Sequence, residues 1–510
     1  MPTTTETSNK PLGAMEKQPA TAVVGYGLGD FACNLAFSMS TSFLLYYMTD
    51  VAGLTAAAIG TMFLIVRLWD AFADLFAGRM VDRTMTRFGK FRPFILWFAI
   101  PVLFLSVLNF NVPTPGMKWL GFIEWNLDTG GRLLYAYLAY AILGLFYSLV
   151  NIPYGSMASA MTQSVGERAK LVAARTFGAA IGGVLLAYVI SPQISAIQKT
   201  APKLAVDADA AAKAAYEAAA LVYRQSLQNV FTATTLWFVL IGGVCYFLTF
   251  LWCKETVVRV TPAVSVKETF ETLKSNKALA YLCAASFFYL IAVFAVGGST
   301  AYYARYILGD ISHTATMTLV NVGIALIITP FIPGLINRLG KKNMFQYCGV
   351  FTIIGGVALA FVPNGAVVMA LIFLAIKGLG ASLIGTLMFA LEADTVEYGE
   401  WKSGKRSEGG TYALFSFVRK VTQSLGGAAG AWALAIGGYI SASATNPNPV
   451  QPEAAIFAIK FTIGLLPAIA AAIAMLVFWK YPLTDKLYAQ IRDENEARKI
   501  ALIEKGEKLY

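Results

Sequence analysis

The sequence predicts an all-α polytopic membrane protein with twelve transmembrane helices in two six-helix halves. Three observations carry this: an apolar composition, a dozen long apolar runs, and basic charge gathered in alternate loops. Of the 510 residues, 57% are hydrophobic and only 14% are charged, and the mean hydropathy is +0.61. A membrane-crossing helix needs about 20 mostly apolar residues, so twelve crossings take up roughly half of such a chain and leave short loops. This composition excludes a disordered chain, a disulfide scaffold and a nucleic-acid binder. Cys33, Cys253 and Cys283 lie in or beside apolar runs without metal-ligand spacing, and all five cysteines are expected to be reduced packing residues.

Taken in order, the apolar runs place spans at 24–48, 55–77, 93–112, 133–157, 171–191, 232–252, 279–303, 315–335, 344–362, 366–390, 411–439 and 456–479. The first 20 residues are polar and lack an apolar core, so no cleavable signal peptide is expected there. An even number of crossings puts both ends on one face. With that face in the cytoplasm, inner segments carry Arg79, Arg83, Arg87, Lys90, Arg92, Arg168, Lys170, Lys254, Arg259, Arg338, Lys341, Lys342, Lys402, Lys405 and a basic tail. Outer loops hold only Lys118, Arg132, Lys199, Lys203, Lys213, Arg224 and Arg305. This asymmetry sets the orientation and accounts for the net charge of +11 without nucleic acid. It predicts a multi-pass protein of the cell inner membrane with a tail at 1–23, a bundle at 24–252, a cytoplasmic linker at 253–278, a bundle at 279–480 and a tail at 481–510. The long outer loop 193–231 contains an Ala-rich stretch, 207–221, that suits a surface helix and shows no chemistry.

The two halves repeat. Gly78-Arg79-Met80-Val81-Asp82-Arg83 with Arg87-Phe88-Gly89-Lys90 recurs loosely as Gly334-Leu335-Ile336-Asn337-Arg338-Leu339-Gly340-Lys341, each copy after the second span of its half. Duplicated halves with basic, glycine-containing turns at these two places resemble the major facilitator architecture. The competing reading is that any inner loop is basic and turns at glycine.

Ionisable groups inside a span are costly unless they face a cavity or a partner, so each is a functional candidate. Arg67, Asp70 and Asp74 are spaced i, i+3, i+7 on one helical face. Two carboxylates one turn apart either share a bound cation or keep one proton between them, which is the chemistry of a cation-coupled carrier. The alternative is a buried packing pair in which Arg67 neutralises one acid. Asp30 and Asn34 in the first span, and Tyr147, Ser148 and Asn151 before Pro153 in the fourth, offer amides and hydroxyls suited to sugar hydroxyls. Arg175 opens the fifth span, where an interfacial role competes with a functional one. A solvated loop would explain the polar stretch 394–408, but not Arg419 and Lys420 within the next apolar run. An ammonium there reaches either a substrate carboxylate or the acidic pair of the second span. Lys377 also lies in an apolar run and has no account in the sequence, and the lone His313 lies between spans, which argues against a histidine relay.

Arg67-Leu68-Trp69-Asp70-Ala71-Phe72-Ala73-Asp74, Arg87-Phe88-Gly89-Lys90-Phe91-Arg92-Pro93-Phe94, Asn151-Ile152-Pro153-Tyr154-Gly155-Ser156 and Ala393-Asp394-Thr395-Val396-Glu397-Tyr398-Gly399-Glu400 resemble the signatures of the glycoside–pentoside–hexuronide:cation symporters. The resemblance runs from about Gly25 to Asp485 and is nearest to the glucuronide-carrying members, through Asn151–Ser156, Leu391–Glu400 and Phe415-Ser416-Phe417-Val418-Arg419-Lys420. It implies a major facilitator fold, a cation site at Asp70 and Asp74, and a coupling lysine at Lys420. Its sugar-contacting positions fall on Asn34, Tyr147, Ser148, Asn151 and Arg175, with Ser416 and Arg419 added as substrate candidates. Members that carry a neutral galactoside have acids where this chain has Asn34 and Asn151, and an aromatic where it has Gly155. Amides keep the hydrogen bonds but remove repulsion of an anionic sugar in a low-dielectric cavity, and Arg175, Arg419 or Lys420 would then hold a uronate carboxylate.

The expected function is cation-coupled import of a glycoside or hexuronide, a glucuronide above all, by alternating access, with a proton as the ion. In a sodium-coupled carrier Asp70 and Asp74 would be the metal ligands. Asp394, Glu397, Glu400, Arg67 and Arg406 form the candidate gating set. The expected partners are the small-molecule substrate, the coupling cation and the lipid bilayer; no cofactor is implied, and the chain is expected to act as a monomer. The rivals are a sodium-coupled carrier of a neutral glycoside or pentoside, a lysolipid flippase and a non-transporting sugar sensor. An enzyme is excluded because no nucleophile–base–orienter set or metal constellation is visible.

Overall fold

The computed structural model describes residues 17–162, 164–203, 209–256, 276–404, 408–443, 446 and 448–504. Its first half contains α1 (Ala20–Tyr46), α2 (Ala56–Arg83), α3 (Arg92–Asn109), α4 (Thr129–Met161), α5 (Val165–Gln198) and α6 (Ala210–Trp252). Its second half contains α7 (Lys277–Tyr306), α8 (His313–Ile328), α9 (Ile332–Leu339), α10 (Lys341–Ala360), α11 (Val367–Ser403), α12 (Glu408–Ile436), α13 (Glu453–Lys460) and α14 (Leu466–Trp479), followed by α15 (Asp485–Glu504). A 3₁₀ turn at Thr329–Phe331 joins α8 to α9, and a π-turn at Phe461–Leu465 joins α13 to α14, so each pair makes one crossing. Among the described residues this makes twelve crossings.

Ten of them are long and apolar enough to span by composition alone. The other two, α1 and α12, carry Asp30, Asn34, Arg419, Lys420 and several Ser, Thr and Gly residues, because both line a polar interior. Large side chains on the outer face, among them Trp237, Phe247, Ile327 and Phe331, remain exposed, which only a lipid solvent makes favourable. Side-chain caps start several helices: Asp128, Asp209 and Asn276 accept from the backbone N–H of Gly131, Ala212 and Leu279. All five cysteines are unpaired and buried.

Within the first half α1 packs on α5 and α6, and α3 and α2 pack on α4; within the second, α7 packs on α12 and α14, and α10 on α11 and α14. Between halves the contacts are α1 with α7, α2 with α12 and α5 with α8. The repeat seen in the sequence has a structural counterpart. Gly89 (φ 106°) and Gly340 (φ 76°) both adopt positive φ, which favours glycine. Glu255, just after α6, accepts from the N–H groups of Lys90, Phe91 and Arg92 at 2.8, 2.8 and 2.9 Å, and Asp485, just after α14, accepts from that of Lys341 at 3.2 Å. A Cβ on either glycine would strike the capping carboxylate. Each half thus ties the start of its third crossing to the end of its sixth, at the end of the bundle that holds residue 20. This is the terminal end, and the opposite one, holding Asp50, is the loop end.

Two expectations about loops change. The outer loop 193–231 is mostly helical, because α5 runs on to Gln198 and α6 starts at Ala210, leaving 199–209 as the connection. At 43 residues α6 is about 65 Å long, twice the apolar thickness of a bilayer. Its projecting part supports a hairpin of β1 (Lys118–Trp119) and β2 (Ile123–Glu124), through Gln228, whose Nε2 donates to the Lys118 carbonyl at 3.0 Å. Likewise 394–403 is not a solvated loop: it continues α11, with Asp394 only 4% exposed. Helix α15 packs against it, Asn495 donating to the Glu397 carbonyl at 3.0 Å. Most of the expected linker, 257–275, lies outside the described residues.

Candidate functional site

A cavity of about 310 Å³ opens between the halves, lined by faces of α1, α2, α4, α5 and α12. Helical periodicity assembles it. Asp30, Asn34 and Phe37 lie three to four residues apart on α1, as do Arg67, Asp70 and Asp74 on α2, while Tyr140, Gly144, Tyr147, Ser148 and Asn151 on α4 and Arg419, Lys420 and Gln423 on α12 follow the same spacing with one adjacent pair each.

Three ion pairs organise the charges. Arg175 of α5 donates from Nε to Asp30 Oδ1 at 3.1 Å while lying over the Tyr154 ring, 5.4 Å from its centroid. Arg67 donates from Nη1 to Asp70 Oδ2 at 3.3 Å and sits between the rings of Phe37 and Tyr140. Lys420 of α12 pairs with Asp74 of α2, and the Ser148 hydroxyl donates to the other Asp74 oxygen at 2.5 Å. The last pair joins the two halves. Asp70 Oδ1 is buried without a hydrogen-bond partner among the described residues, and it fills the space where a side chain at Gly144 would begin. Asn34 donates to the Asp30 carbonyl at 2.9 Å and to its Oδ2 at 3.3 Å, and accepts from Ser38.

The structure therefore brings together Asn34, Asp70, Asp74, Tyr147, Ser148, Asn151, Arg175, Arg419 and Lys420 around one cavity. Ser416 is not in its lining; it lies one turn from Lys420 towards the terminal end. Arg67, expected at a gate, is instead a cavity residue. Asp70 and Asp74 do not form a bare carboxylate pair, since each faces a cation of its own. Of the four cations, Arg419 has an aromatic neighbour, Phe389, with its guanidinium 5.8 Å from the ring centroid, and no carboxylate partner among the described residues.

The expected gate acids lie elsewhere. Asp394 accepts from Lys341 Nζ at 2.5 and 2.7 Å, an ion pair inside the second half. The Glu397 and Glu400 carbonyls accept from Asn495 and Arg498 of α15. Such contacts fasten α10 and α15 to α11 and do not bridge the halves. Arg406 lies outside the described residues.

Besides the Lys420–Asp74 pair, a cluster of contacts bridges the halves at the loop end. A π-turn at Tyr47–Val51 closes α1 and presents Thr49 and Asp50 to the second half. Arg305 of α7, counted in the sequence as an outer-loop charge, is buried and donates to Asp50 Oδ1 at 2.5 Å. Tyr439, beyond α12, donates to both Asp50 oxygens at 2.9 and 2.8 Å, and the Thr49 and Tyr302 hydroxyls are 2.7 Å apart. Lys199 pairs with Asp310 at 3.3 Å nearby. Burial raises the Asp310 carboxyl, but hydrogen bonds from Ser195 and Ser312 and the Lys199 ammonium outweigh it and bring its pKa down to about 2. Sequence reading passed over Asp50 and Tyr439; the available signal was an acid at the very end of an apolar span.

Comparison with known proteins places this geometry in context. The family model for MFS/sugar transport proteins matches residues 25–485. The glucuronide carrier protein homolog of Escherichia coli is 41% identical over 478 residues, covering 94% of this chain and 95% of that protein. The isoprimeverose transporter of Lactiplantibacillus pentosus is 30% identical, over 92% and 91% of the two chains. Among solved structures, a bacterial homologue of the lysosomal transporter Spinster aligns with a TM-score of 0.62 at 12% identity, over 91% of this chain and 98% of its own. The Escherichia coli xylose transporter XylE, in its inward-open conformation, aligns with a TM-score of 0.54 at 14% identity, over 91% and 95%.

Proposed function

The chain belongs to the MFS/sugar transport protein family, so it is a multi-pass membrane transporter and not an enzyme, and from that premise we propose that it imports a glucuronide with a proton by alternating access. One observation carries the substrate class. The central cavity holds three carboxylates, Asp30, Asp70 and Asp74, and four cations, Arg67, Arg175, Arg419 and Lys420, a surplus of one positive charge. In a cavity of low dielectric such a surplus favours a monoanionic sugar over a neutral one. Arg419 supplies the charge-assisted contact to a uronate, and Asn34, Asn151 and Tyr147 supply groups that bond sugar hydroxyls. The name of the 41% identical relative points the same way.

Asp70 is the coupling residue in this reading. Its Oδ1 is a buried acceptor without a hydrogen-bond partner among the described residues, seated against Gly144 of α4 on a residue that lines the cavity. One free oxygen suffices for a proton, whereas sodium prefers several oxygen ligands. Among the described residues no group of three His, Cys, Asp or Glu side chains gathers for a metal ion. Protonation of Asp70 releases Arg67 from Asp70 Oδ2, and substrate competes with Asp74 for Lys420. Proton binding thus frees Arg67 on α2 while substrate loosens the Asp74–Lys420 pair that holds α2 to α12, so both ligands act on the same helix, which links their binding. With the basic face in the cytoplasm the loop end is periplasmic, and its closure by Asp50, Arg305 and Tyr439 corresponds to an inward-facing carrier of the inner membrane, working as a monomer.

The test is uptake of labelled glucuronide into vesicles holding the purified protein, under an imposed pH or sodium gradient. Accumulation driven by the pH gradient and lost in Asp70→Asn is expected. Drive by sodium alone would overturn the ion, and accumulation of a neutral glycoside without the glucuronide would overturn the substrate.

A further inference from the structure

A second cavity, of about 280 Å³, lies in the second half, touched from the first half by Ser42 alone. It shares no lining residue with the central cavity. On its wall stands Lys377 of α11, 5% exposed, whose Nζ donates to the Ile463 carbonyl at 2.9 Å. That carbonyl belongs to the π-turn Phe461–Leu465, where the wider backbone ladder leaves an oxygen free to accept. An ammonium has three donors, and a carbonyl uses one of them without neutralising the charge. No Asp or Glu lines the cavity. Keeping an unpaired ammonium charged in this position is costly, and a bound anion would offset that cost.

Other donors converge on the same space. Thr314 Oγ1 is buried and has no hydrogen-bond partner among the described residues, and the Tyr289 hydroxyl is buried beside Thr352, which also lines the cavity. The Asn321 amide also lines the cavity, and its Oδ1 lies 3.2 Å from where a Cβ at Gly378 would stand, next to Lys377 in sequence. The internal repeat explains the placement. Asn321 stands as far ahead of Gly340 as Asp70 stands ahead of Gly89, and Thr318 stands correspondingly to Arg67. The second half therefore presents to its own cavity the face that carries the acids in the first, with the acid replaced by an amide and a lysine added.

We propose that this cavity is an anion site in which Lys377, Tyr289, Thr314 and Asn321 hold a small monovalent anion, a carboxylate or a halide. The apolar walls, among them Val293 and Pro467, shed water and leave the ammonium as the dominant charge. This assignment stands apart from the central site and from the choice of transported sugar.

Chloride binding to the purified full-length protein, read by chloride NMR line broadening, tests it. Wild type should show saturable broadening that weakens at least tenfold in Lys377→Gln and persists in Lys170→Gln, which removes an exposed charge. Asn321→Asp is nearly isosteric and supplies an internal counter-charge, so it should also empty the site without removing Lys377. Displacement of the chloride by glucuronate assigns the site to carboxylates, and failure to displace assigns it to halides. Absence of broadening in wild type, or undiminished broadening in both cavity variants, overturns the proposal.

Discussion

Arg305 of α7 reaches Asp50, in the π-turn that closes α1, at 2.5 Å with both side chains buried, so an ion pair between the two halves latches the loop end. Tyr439 and Thr49 satisfy the remaining Asp50 acceptors, leaving little reason for the pair to open unless the halves rock. Removing one partner of a buried pair costs about 3–5 kcal/mol. Asp50→Asn should therefore shift the carrier towards opening at the loop end. A cysteine at Ser40, in the central cavity, should then react at least tenfold faster with a membrane-impermeant maleimide added from the loop-end side. Unchanged labelling would show that the latch does not set the conformational equilibrium.

Loss of Arg419 should separate anionic from neutral sugars. A charge-assisted hydrogen bond contributes about 1.5–3 kcal/mol, so Arg419→Gln should raise the KM for glucuronide by about tenfold or more. Arg419→Lys should recover only part of this, because an ammonium does not reproduce the planar fork of a guanidinium. Equal effects on a neutral glycoside would remove Arg419 from carboxylate recognition.

Asp70 and Asp74 should fail in different ways. Asp70→Asn keeps an acceptor oxygen but removes the carboxylate that can take up a proton, so concentrative uptake should vanish while expression persists. Asp74→Asn leaves Lys420 without its counter-charge and should also lower stability, by about 1–3 kcal/mol for a partly buried charged group. Adding Lys420→Met should restore thermal stability but not transport. Thermal unfolding of the three variants distinguishes the outcomes.

Gly144→Ala adds a single methyl group, but it must displace the Asp70 carboxylate from its seat against α4. Uptake should fall at least tenfold with normal expression. Retained uptake would mean that Asp70 does not need this position.

The pH dependence of uptake should not arise at Asp310. Its pKa is lowered in the folded chain to about 2, against an ordinary aspartate value near 4. Its contribution to the loop-end closure is thus fully present above the ordinary value and is lost only as pH falls through about 2. Asp310→Asn should leave the shape of the pH profile between about pH 5 and 8 unaltered, although it removes the partner of Lys199. A displaced profile would make Asp310 a titrating gate.

The apolar runs, the basic loops and the repeated glycine turn determined the membrane fold, its twelve crossings and its division into halves, since bilayer thickness and backbone hydrogen bonding leave few other solutions. Helical spacing also determined which polar faces exist: Arg67, Asp70 and Asp74 on one span, Asn151 on another, Lys420 on a third. Sequence could not determine what those faces meet. Only the packing of α2 against α12 gave Asp74 to Lys420, and only the packing of α5 beside α1 gave Arg175 to Asp30. That choice turned a supposed carboxylate pair into separate ion pairs and left Arg419 to set the charge of the cavity. Asp50 and Arg305, far apart in the chain, became a latch for the same reason, and Asp394 was drawn to Lys341 within one half. Periodicity fixes which residues share one helix face, whereas pairing depends on interhelical contacts between residues remote in sequence, and those exist only in the folded bundle.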